Sequence, residues 1–245
     1  MNKIQLFLSA IALPLAATTF TSCDNDDDYD YSLTYPTAVV TVCPQTDGGF
    51  MMVLDDKTDI YPSNMTESPF GEDEVRAFVN FSPAESKPGD DRQYVKVNWL
   101  DDIRTKLPVE YIDEDNAATY GNDPLEIMRD WVTVAEDGYL TLRLRTRWGM
   151  SGTVHHINLL SGVNPDDPNE FELRHDAKGD TAGAMGDAFI AFNLNKYFSD
   201  ATSPVKIKLR WTSFSGTKTA EFDLALRKYI DDADHASLIQ ATRIN

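Results

Sequence analysis

The sequence predicts an all-β protein in two parts, a small, partly open barrel followed by an antiparallel β-sandwich. Short segments of alternating or β-branched residues recur along the chain with no helical period. A polar, turn-rich stretch at 113–126 separates five of these segments from seven later ones. We therefore place the barrel at residues 35–112, a linker at 113–126 and the sandwich at 127–245.

The first part contains five predicted strands. They span residues 37–42, 50–54, 74–81, 93–100 and 106–112. Alternation places Val95, Val97 and Trp99 on one face of the fourth strand. Pro108 indicates that the fifth strand, which closes this block, is an edge or bulged strand. Cys43 ends the first strand, which is typical of a buried and unreactive thiol.

The second part contains seven predicted strands at a spacing typical of a sandwich. They span residues 130–134, 139–148, 153–160, 170–175, 187–194, 205–211 and 219–226. The last two form a predicted hairpin around a turn at Ser215-Gly216. In that register Arg210 faces Glu221, and Lys208 faces Asp223.

The composition is that of a folded and strongly acidic protein. The chain has 245 residues, 42% of them hydrophobic and 11% aromatic, which is enough for a core. The net charge of −18 would repel phosphates, so nucleic acid is not an expected partner. The only cysteines are Cys23 and Cys43, so no disulfide framework is predicted.

Residues 1–22 have the layout of a lipoprotein signal peptide. Lys3 precedes an apolar stretch at 4–17 that is too short to span a membrane. The sequence FTSC that ends at Cys23 resembles a bacterial lipobox, whose cysteine is acylated and becomes the first residue. An ordinary secretory signal with an incidental cysteine is the alternative. Two or more acyl chains on Cys23 would anchor the protein stably in a membrane.

The segment 23–34 is predicted to be an acidic, solvated tether. Its aspartates are too dense for a helix or a strand. It resembles the acidic export signal that follows the lipidated cysteine in surface lipoproteins of the Bacteroidetes. The predicted signal residues are Asp24, Asp26, Asp27 and Asp28, and the predicted location is the cell-surface side of the outer membrane. A spacer in the periplasm is the alternative.

The whole layout resembles the NigD-like lipoproteins of the Bacteroidetes. The resemblance combines the lipobox, the acidic tether, the five-strand block and a later β block with the strings HHINLL and FELRHD. It implies an N-terminal OB-like barrel followed by a C-terminal β-sandwich. The family has no established enzyme activity, and its name, taken from a bacteriocin locus, implies a bacteriocin-linked role such as immunity.

A stripe of arginines is the candidate ligand patch. Arg143, Arg145 and Arg147 alternate along one predicted strand of an acidic chain, and a patch of this kind suits a sulfated or uronic-acid glycan. Pairing with acids of a neighbouring strand is the alternative.

The sequence contains candidate ligands for zinc and for calcium, but we predict no metal and no cofactor. His155 and His156 are adjacent on a strand and point to opposite faces, so one of them at most could join His175 and Asp176 or Asp180 around zinc. A buried, hydrogen-bonded histidine is the favoured interpretation. The calcium candidates lack the EF-hand pattern and are interpreted as solvated turn acids. These candidates are Asp113, Asp115, Asn116, Asp166, Asp167 and Glu170.

The remaining signals give a modification site and no nucleophile. Ser151 does not lie in a G-x-S-x-G pattern. Thr181, in the string DTA, resembles the O-glycosylation acceptor of the Bacteroidetes. We therefore predict a non-catalytic binding or protective role in the cell envelope, with a protein or a glycan as partner. An extracellular enzyme acting on glycans or peptides is the alternative, because 40 acids always offer some carboxylate pair.

Overall fold

The computed structural model describes residues 33–46, 48–55, 57–86, 88–112, 116–149, 152–201 and 204–227. Within these ranges the protein is almost entirely β, which confirms the predicted class, with one short helix, α1 (Asn116–Tyr120). No helix of the described ranges is long and apolar enough to cross a membrane.

The first five strands form a closed barrel. They are β1 (Ala38–Pro44), β2 (Phe50–Val53), β3 (Asp59–Pro62), β4 (Val75–Pro83) and β5 (Gln93–Asp102). Their order around the barrel is β1-β2-β3-β5-β4, and β4 pairs with β1 to close it. Alternate residues fill the interior, with Val40 and Val42 of β1 packed against Met52, Ile60 and Val79.

The remaining strands form two sheets that pack as a sandwich. They are β6 (Thr105–Lys106), β7 (Val109–Glu110), β8 (Glu126–Ile127), β9 (Val134–Glu136), β10 (Tyr139–Trp148), β11 (His156–Ser161), β12 (Glu170–Asp176), β13 (Ala184–Asn193), β14 (Val205–Ser213) and β15 (Gly216–Leu224). One sheet has the order β6-β13-β10-β8, with β9 also paired to β10. The other has the order β15-β14-β12-β11-β7. Leucines of β10 pack between the sheets against Phe171 and Leu209.

Two predictions about the barrel strands are wrong. Residues 59–62 form β3, which is too short to give a clear alternation in the sequence. The segment 106–112 does not close the barrel, because β6 pairs in parallel with β13 and β7 pairs in parallel with β11. Pro108 separates these two-residue strands, since it cannot donate to a ladder. The segment 105–110 therefore crosses from the edge of one sandwich sheet to the edge of the other.

The prediction for Trp99 is also wrong, because β5 contains a bulge. Asn80 pairs with Trp99 and Phe81 pairs with Val97, so one residue of β5 has no opposite neighbour. The extra residue reverses the alternation beyond it. Leu100 consequently packs on the barrel core, while Trp99 packs against the apolar cluster between barrel and sandwich.

The predicted hairpin exists, but its register differs by two residues. Ser213 pairs with Gly216, so the turn residues are Phe214 and Ser215. Gly216 has a φ of 106°, which favours glycine immediately after the turn. Lys208 therefore faces Glu221, and Arg210 faces Thr219. The same faces stay buried because the shift is even.

Apolar contacts join the barrel to the sandwich. Val39 of β1 and Phe78 of β4 pack against Tyr139 and Ala191 of the sandwich. Strand β1 is thus buried on both faces, which explains its continuous run of β-branched residues.

Buried charges also join the two parts. The fully buried Arg76 donates to Thr41 Oγ1 (3.0 Å) in the barrel. In the sandwich it donates to Thr141 Oγ1 (3.2 Å) and to Glu136 Oε1 (2.5 Å). Each arm of the guanidinium therefore has an acceptor, and these acceptors come from both parts of the molecule.

A second arginine makes the same connection. Arg227 donates to both carboxylate oxygens of Glu74 (2.5 and 3.0 Å) and to both of Asp137 (2.9 and 2.8 Å). Tyr139 Oη donates to Glu74 Oε1 at 2.5 Å. Burial opposes ionisation of Glu74, but Arg227 outweighs it and lowers the pKa of this carboxyl. We refer to Arg76, Glu136, Glu74, Asp137, Arg227 and Tyr139 as the interface network.

The thiol of Cys43 lies beside this network. It is buried, and its Sγ contacts Glu74 Oε2 at 3.9 Å. Burial, followed by the charge of Glu74, raises the pKa of the thiol far above its usual value. The prediction of a buried and unreactive cysteine is therefore confirmed.

Candidate functional site

A cavity of about 200 Å³ lies between the two sandwich sheets, beside β6. Its inner wall is apolar and is formed by Leu125, Leu144 and Ile190, which belong to the sandwich core. Val154 and Phe189 stand at its rim with exposed fractions of 69% and 40%. The cavity is thus a small apolar space with an opening to solvent.

Three stacked rings form another wall of this cavity. The ring of Trp148 lies parallel to that of His155, with centroids 4.0 Å apart. The ring of His155 stacks in turn on that of His175 at 5.0 Å. We refer to Trp148, His155, His175 and Asp180 as the histidine cluster.

Strand pairing brings the two histidines together. His156 pairs with Asp176, and Ile157 pairs with His175. His155, one residue before the paired segment, is therefore the diagonal neighbour of His175 on the same face. His156 points to the opposite face and is exposed, as the strand alternation predicts.

Hydrogen bonds connect the side chains of the histidine cluster. His155 Nε2 lies 3.4 Å from Asp180 Oδ2, and His155 Nδ1 lies 2.9 Å from His175 Nε2. Because a carboxylate accepts, His155 Nε2 is the donor to Asp180, and one of the two facing ring nitrogens carries the proton that joins His155 to His175. Asp180 Oδ1 also accepts the backbone N–H of Gly149 at 2.8 Å. The interpretation of these side chains as buried, hydrogen-bonded histidines is confirmed.

Two polar atoms of the histidine cluster are buried without a hydrogen-bond partner among the residues that the structure describes. They are Trp148 Nε1 and His175 Nδ1. Burial, and then the neighbouring ring of His155, lowers the pKa of His175. Within the described residues no group of three or more histidine, cysteine or acidic side chains is placed to hold a metal.

Cations surround the mouth of the cavity. Arg104 is exposed there, and its guanidinium has no hydrogen-bond or ion-pair partner among the described residues. Lys106 Nζ donates to the carbonyl of Ile157 (2.8 Å) and to Asn158 Oδ1 (2.5 Å). Burial, together with the charge of Arg104, lowers the pKa of Lys106. The cavity lining includes His156 as well, and none of the described residues that line it is a carboxylate.

The arginine stripe of β10 is largely paired within the molecule. Arg145 lies opposite Asp187 of β13 and donates to it at 2.6 Å. Arg143 donates to Asp187 (2.9 Å) and to Asp130 (2.6 Å). Hydrogen bonds from Arg145 and Arg143 lower the pKa of Asp187 to about 2. Arg147 donates to the carbonyl of Gly183 and lies over the ring of Phe214.

The second basic stripe is paired with a different strand from the one expected. Lys208 donates to Glu170 at 3.0 Å, and Arg210 donates to Glu172 at 2.6 Å. Both acids belong to β12, the parallel neighbour of β14, while Lys206 bridges to Asp223 at 3.0 Å.

The side chains that the sequence offers for calcium have other roles where the structure describes them. Glu170 is not the predicted solvated turn acid, because it is buried at the start of β12 and paired with a lysine. Asp167 accepts the N–H of Asn169, and Glu170 pairs with Lys208. Asn116 Oδ1 accepts the N–H of Ile112. Asp113, Asp115 and Ser151 fall outside the described residues.

Of the residues predicted for modification and targeting, the structure describes Thr181 alone. Thr181 is exposed in the loop between β12 and β13, directly after the buried Asp180. Its glycosylation stays a prediction. Cys23 and the four aspartates Asp24, Asp26, Asp27 and Asp28 are outside the described residues, so lipidation and export also stay predictions.

Sequence reasoning did not find the cavity or its cations. The sequence signal for it was a pair of cations, Arg104 and Lys106, two residues apart in an acidic chain. Assigning this segment to the barrel concealed that signal. The pairing of Arg145 with Asp187 depends on the register of β10 and β13, which alternation does not specify.

Two family models match the chain. Residues 39–103 match the NigD-like N-terminal OB domain, and residues 108–224 match the NigD-like C-terminal beta sandwich domain. No curated protein matches.

Solved structures of proteins from Parabacteroides and Bacteroides have a similar fold. A predicted toxin-related protein from Parabacteroides distasonis is 27% identical, with a TM-score of 0.61 over 85% of this chain and 98% of that one. A NigD-like immunity protein from Bacteroides caccae is 20% identical, with a TM-score of 0.54 over 79% and 93%. A predicted lipoprotein from Bacteroides fragilis is 14% identical, with a TM-score of 0.54 over 77% and 97%.

Proposed function

The chain belongs to the NigD-like family, and we propose that it is a cell-envelope lipoprotein that acts by binding a partner. Cys23 would carry the lipid, and the acidic run after it would direct the protein to the outer face of the outer membrane. The description of one similar structure as a predicted lipoprotein supports an envelope location.

The observation that carries the proposal is the way in which barrel and sandwich are joined. Arg76 and Arg227 each bind acceptors from both parts, next to a shared apolar cluster. A joint of this kind holds two domains in one arrangement, so their surfaces form a single preorganised binding face. Preorganisation of this sort suits a binding protein that recognises its partner without reorganising.

The charge distribution indicates the kind of partner. Within the described residues eleven lysine and arginine side chains form internal ion pairs. The acids of the whole sequence outnumber the bases by 40 to 22, so a negative charge remains after these ion pairs are counted. A partner with a basic surface is favoured by charge complementarity. We therefore favour a basic protein over an acidic glycan.

A bacteriocin-linked role is the specific form of this proposal. One structure with the same fold is described as an immunity protein. An immunity protein that binds an incoming toxin at the cell surface requires a rigid, exposed binding face and no catalysis. The lipid anchor would hold that face outside the cell.

Palmitate labelling with protease shaving of intact cells tests the location. The wild type is compared with Cys23→Ala and with a variant in which Asp24, Asp26, Asp27 and Asp28 are alanine. We expect the wild type to be labelled and shaved, the cysteine variant to lose its label, and the aspartate variant to be labelled but protected. A wild type that is labelled yet protected would contradict surface exposure and leave the aspartates as a spacer.

A sensitivity assay tests the role. A strain lacking this protein is exposed to supernatants of bacteriocin-producing relatives and is complemented with the wild type or with Cys23→Ala. We expect greater killing of the deletion strain and rescue by the wild type alone. Equal sensitivity of all strains to every supernatant would reject the immunity role without affecting the location.

A further inference from the structure

We propose that the cavity beside β6 binds a small organic anion. Its ligand would be a monocarboxylate with a short aliphatic chain or a single ring, with the carboxylate at Arg104 and the apolar body inside the sandwich. This inference rests on the cavity itself and holds in whichever compartment the protein lies.

The volume limits the ligand to a small molecule. The cavity measures about 200 Å³. An engineered apolar cavity of about 150 Å³ in another protein is known to hold benzene. One ring or a short alkyl chain therefore fits, whereas a peptide or an oligosaccharide does not.

The walls favour an apolar body. Leu125, Leu144 and Ile190 are buried behind the cavity, and the ring faces of Trp148 and His155 form one side of it. Apolar surface that is removed from water contributes about 25 cal/mol per Å². An inorganic phosphate or sulfate would gain nothing from these walls.

The mouth favours a negative charge. The guanidinium of Arg104 has no partner among the described residues, and an ammonium group such as that of Lys106 has three donors, of which two are used here. Among the described residues no acid lines the cavity, although the chain has 40 acids. The positive charges of Arg104 and Lys106 repel each other at this opening, and the ammonium group of Lys106 is partly buried. An anion between them would remove that repulsion.

Calorimetry on the whole chain with Cys23→Ala, purified without detergent, tests this. The probes are hexanoate and benzoate, compared with hexanamide and benzamide, which have the same bodies and no charge. We expect one molecule bound per chain, tighter binding of the acids than of the amides, and a shift of the Trp148 indole N–H resonance on addition of hexanoate.

Variants test separately the charge at the mouth of the cavity and the apolar space inside it. Arg104→Gln should weaken hexanoate binding by about tenfold and leave hexanamide unchanged, because it removes one charged hydrogen bond. Ala188→Leu should abolish binding of both by filling the cavity.

Val154→Asp places an acid at the exposed rim without changing the core, and should weaken hexanoate more than hexanamide. Arg129→Gln, at an exposed and unpaired arginine outside this cavity, is the matched control.

Three results would overturn the proposal. The first is the absence of both heat and a Trp148 shift with millimolar hexanoate or benzoate. The second is equal weakening by Arg104→Gln and Arg129→Gln, which would indicate bulk charge only. The third is unchanged hexanoate binding in both Ala188→Leu and Val154→Asp, which would place the ligand elsewhere.

Discussion

The interface network and the histidine cluster are both buried groups of polar side chains, but they are built differently. In the interface network opposite charges meet, and Arg76 and Arg227 give each arm of the guanidinium an acceptor. In the histidine cluster the rings of Trp148, His155 and His175 stack beside a cavity, and Trp148 Nε1 and His175 Nδ1 have no hydrogen-bond partner among the described residues.

The difference separates a structural role from a binding role. A buried charge that loses its partner is costly, so a fully paired network holds its groups in one arrangement. Stacked rings next to free space can adjust to a ligand at a smaller cost. Burial of polar groups alone therefore does not distinguish the two groups; their pairing and the adjacent cavity do.

The largest effect is expected from removal of Arg76. Arg76→Met leaves Glu136 without its cation and two threonine hydroxyls without a donor, and should lower the free energy of unfolding by about 3–5 kcal/mol. Denaturation by urea measures this. Arg92→Met, which breaks the exposed pair with Asp90, is the control and should change little.

A double variant strengthens this test. Arg76→Met with Glu136→Met removes both charges and should be less destabilised than Arg76→Met alone. A double variant as unstable as the sum of the single variants would show that Arg76 acts through packing and not through its charge.

The next effect concerns the wall of the histidine cluster. A Cβ at Gly186 would lie 2.5 Å from Trp148 Cδ1, so Gly186→Ala must push the indole away from His155. We expect a loss of about 1–3 kcal/mol, the usual cost of overpacking, measured by urea denaturation. In a Trp148→Leu background the same substitution should cost much less. An equal loss of stability in both backgrounds would show that the strain does not come from a clash with Trp148.

The histidine cluster should also make stability depend on pH. An unfolded histidine has a pKa of about 6.5, and burial lowers the pKa of His175 in the folded protein. Below about pH 6.5 the unfolded state binds more protons, so stability should fall as the pH falls, by up to about 1.4 kcal/mol per pH unit. His175→Gln should flatten the slope between pH 7.5 and 5.5, whereas His156→Gln, at an exposed ring, should not. An unchanged slope in His175→Gln would assign it to other groups.

The smallest effect is expected at the paired stripe of β10. Asp187 accepts from Arg143 and Arg145 at a partly exposed position, so Asp187→Asn should cost at most about 1 kcal/mol. Because its folded pKa is lowered to about 2, the wild type should lose this contribution as the pH falls from about 4 toward 2. Stability that is equally acid-sensitive in Asp187→Asn would contradict the assignment.

Alternation and turn residues were sufficient to predict the class and the order of barrel and sandwich. The inward face of β10 follows from apolar periodicity, and the burial of β1 on both faces follows from its continuous run of β-branched residues. The errors arose where a bulge or a turn changes the pattern that alternation alone predicts. The bulge in β5 moved Trp99 off the expected face, and the turn at Phe214 and Ser215 shifted a hairpin.

The site was harder to predict than the fold, because it depends on pairing between distant strands. His155 meets His175 through the register of β11 and β12, and Arg145 meets Asp187 through that of β10 and β13. Neither register is encoded by the period of one strand. The cavity requires, in addition, that Arg104 and Lys106 lie on the sandwich and not on the barrel.

The crossing segment 105–110 has a further consequence for solubility. Sheet edges carry unpaired backbone groups that attract other strands and promote aggregation. The two-residue strand β6 pairs with one end of the edge at β13, and β7 pairs with one end of the edge at β11, so one short piece of chain shields part of an edge of each sheet. A sandwich produced without this segment would expose more of both edges, and we expect it to aggregate more readily. The chain that leaves the barrel thus protects the edges of the neighbouring sandwich.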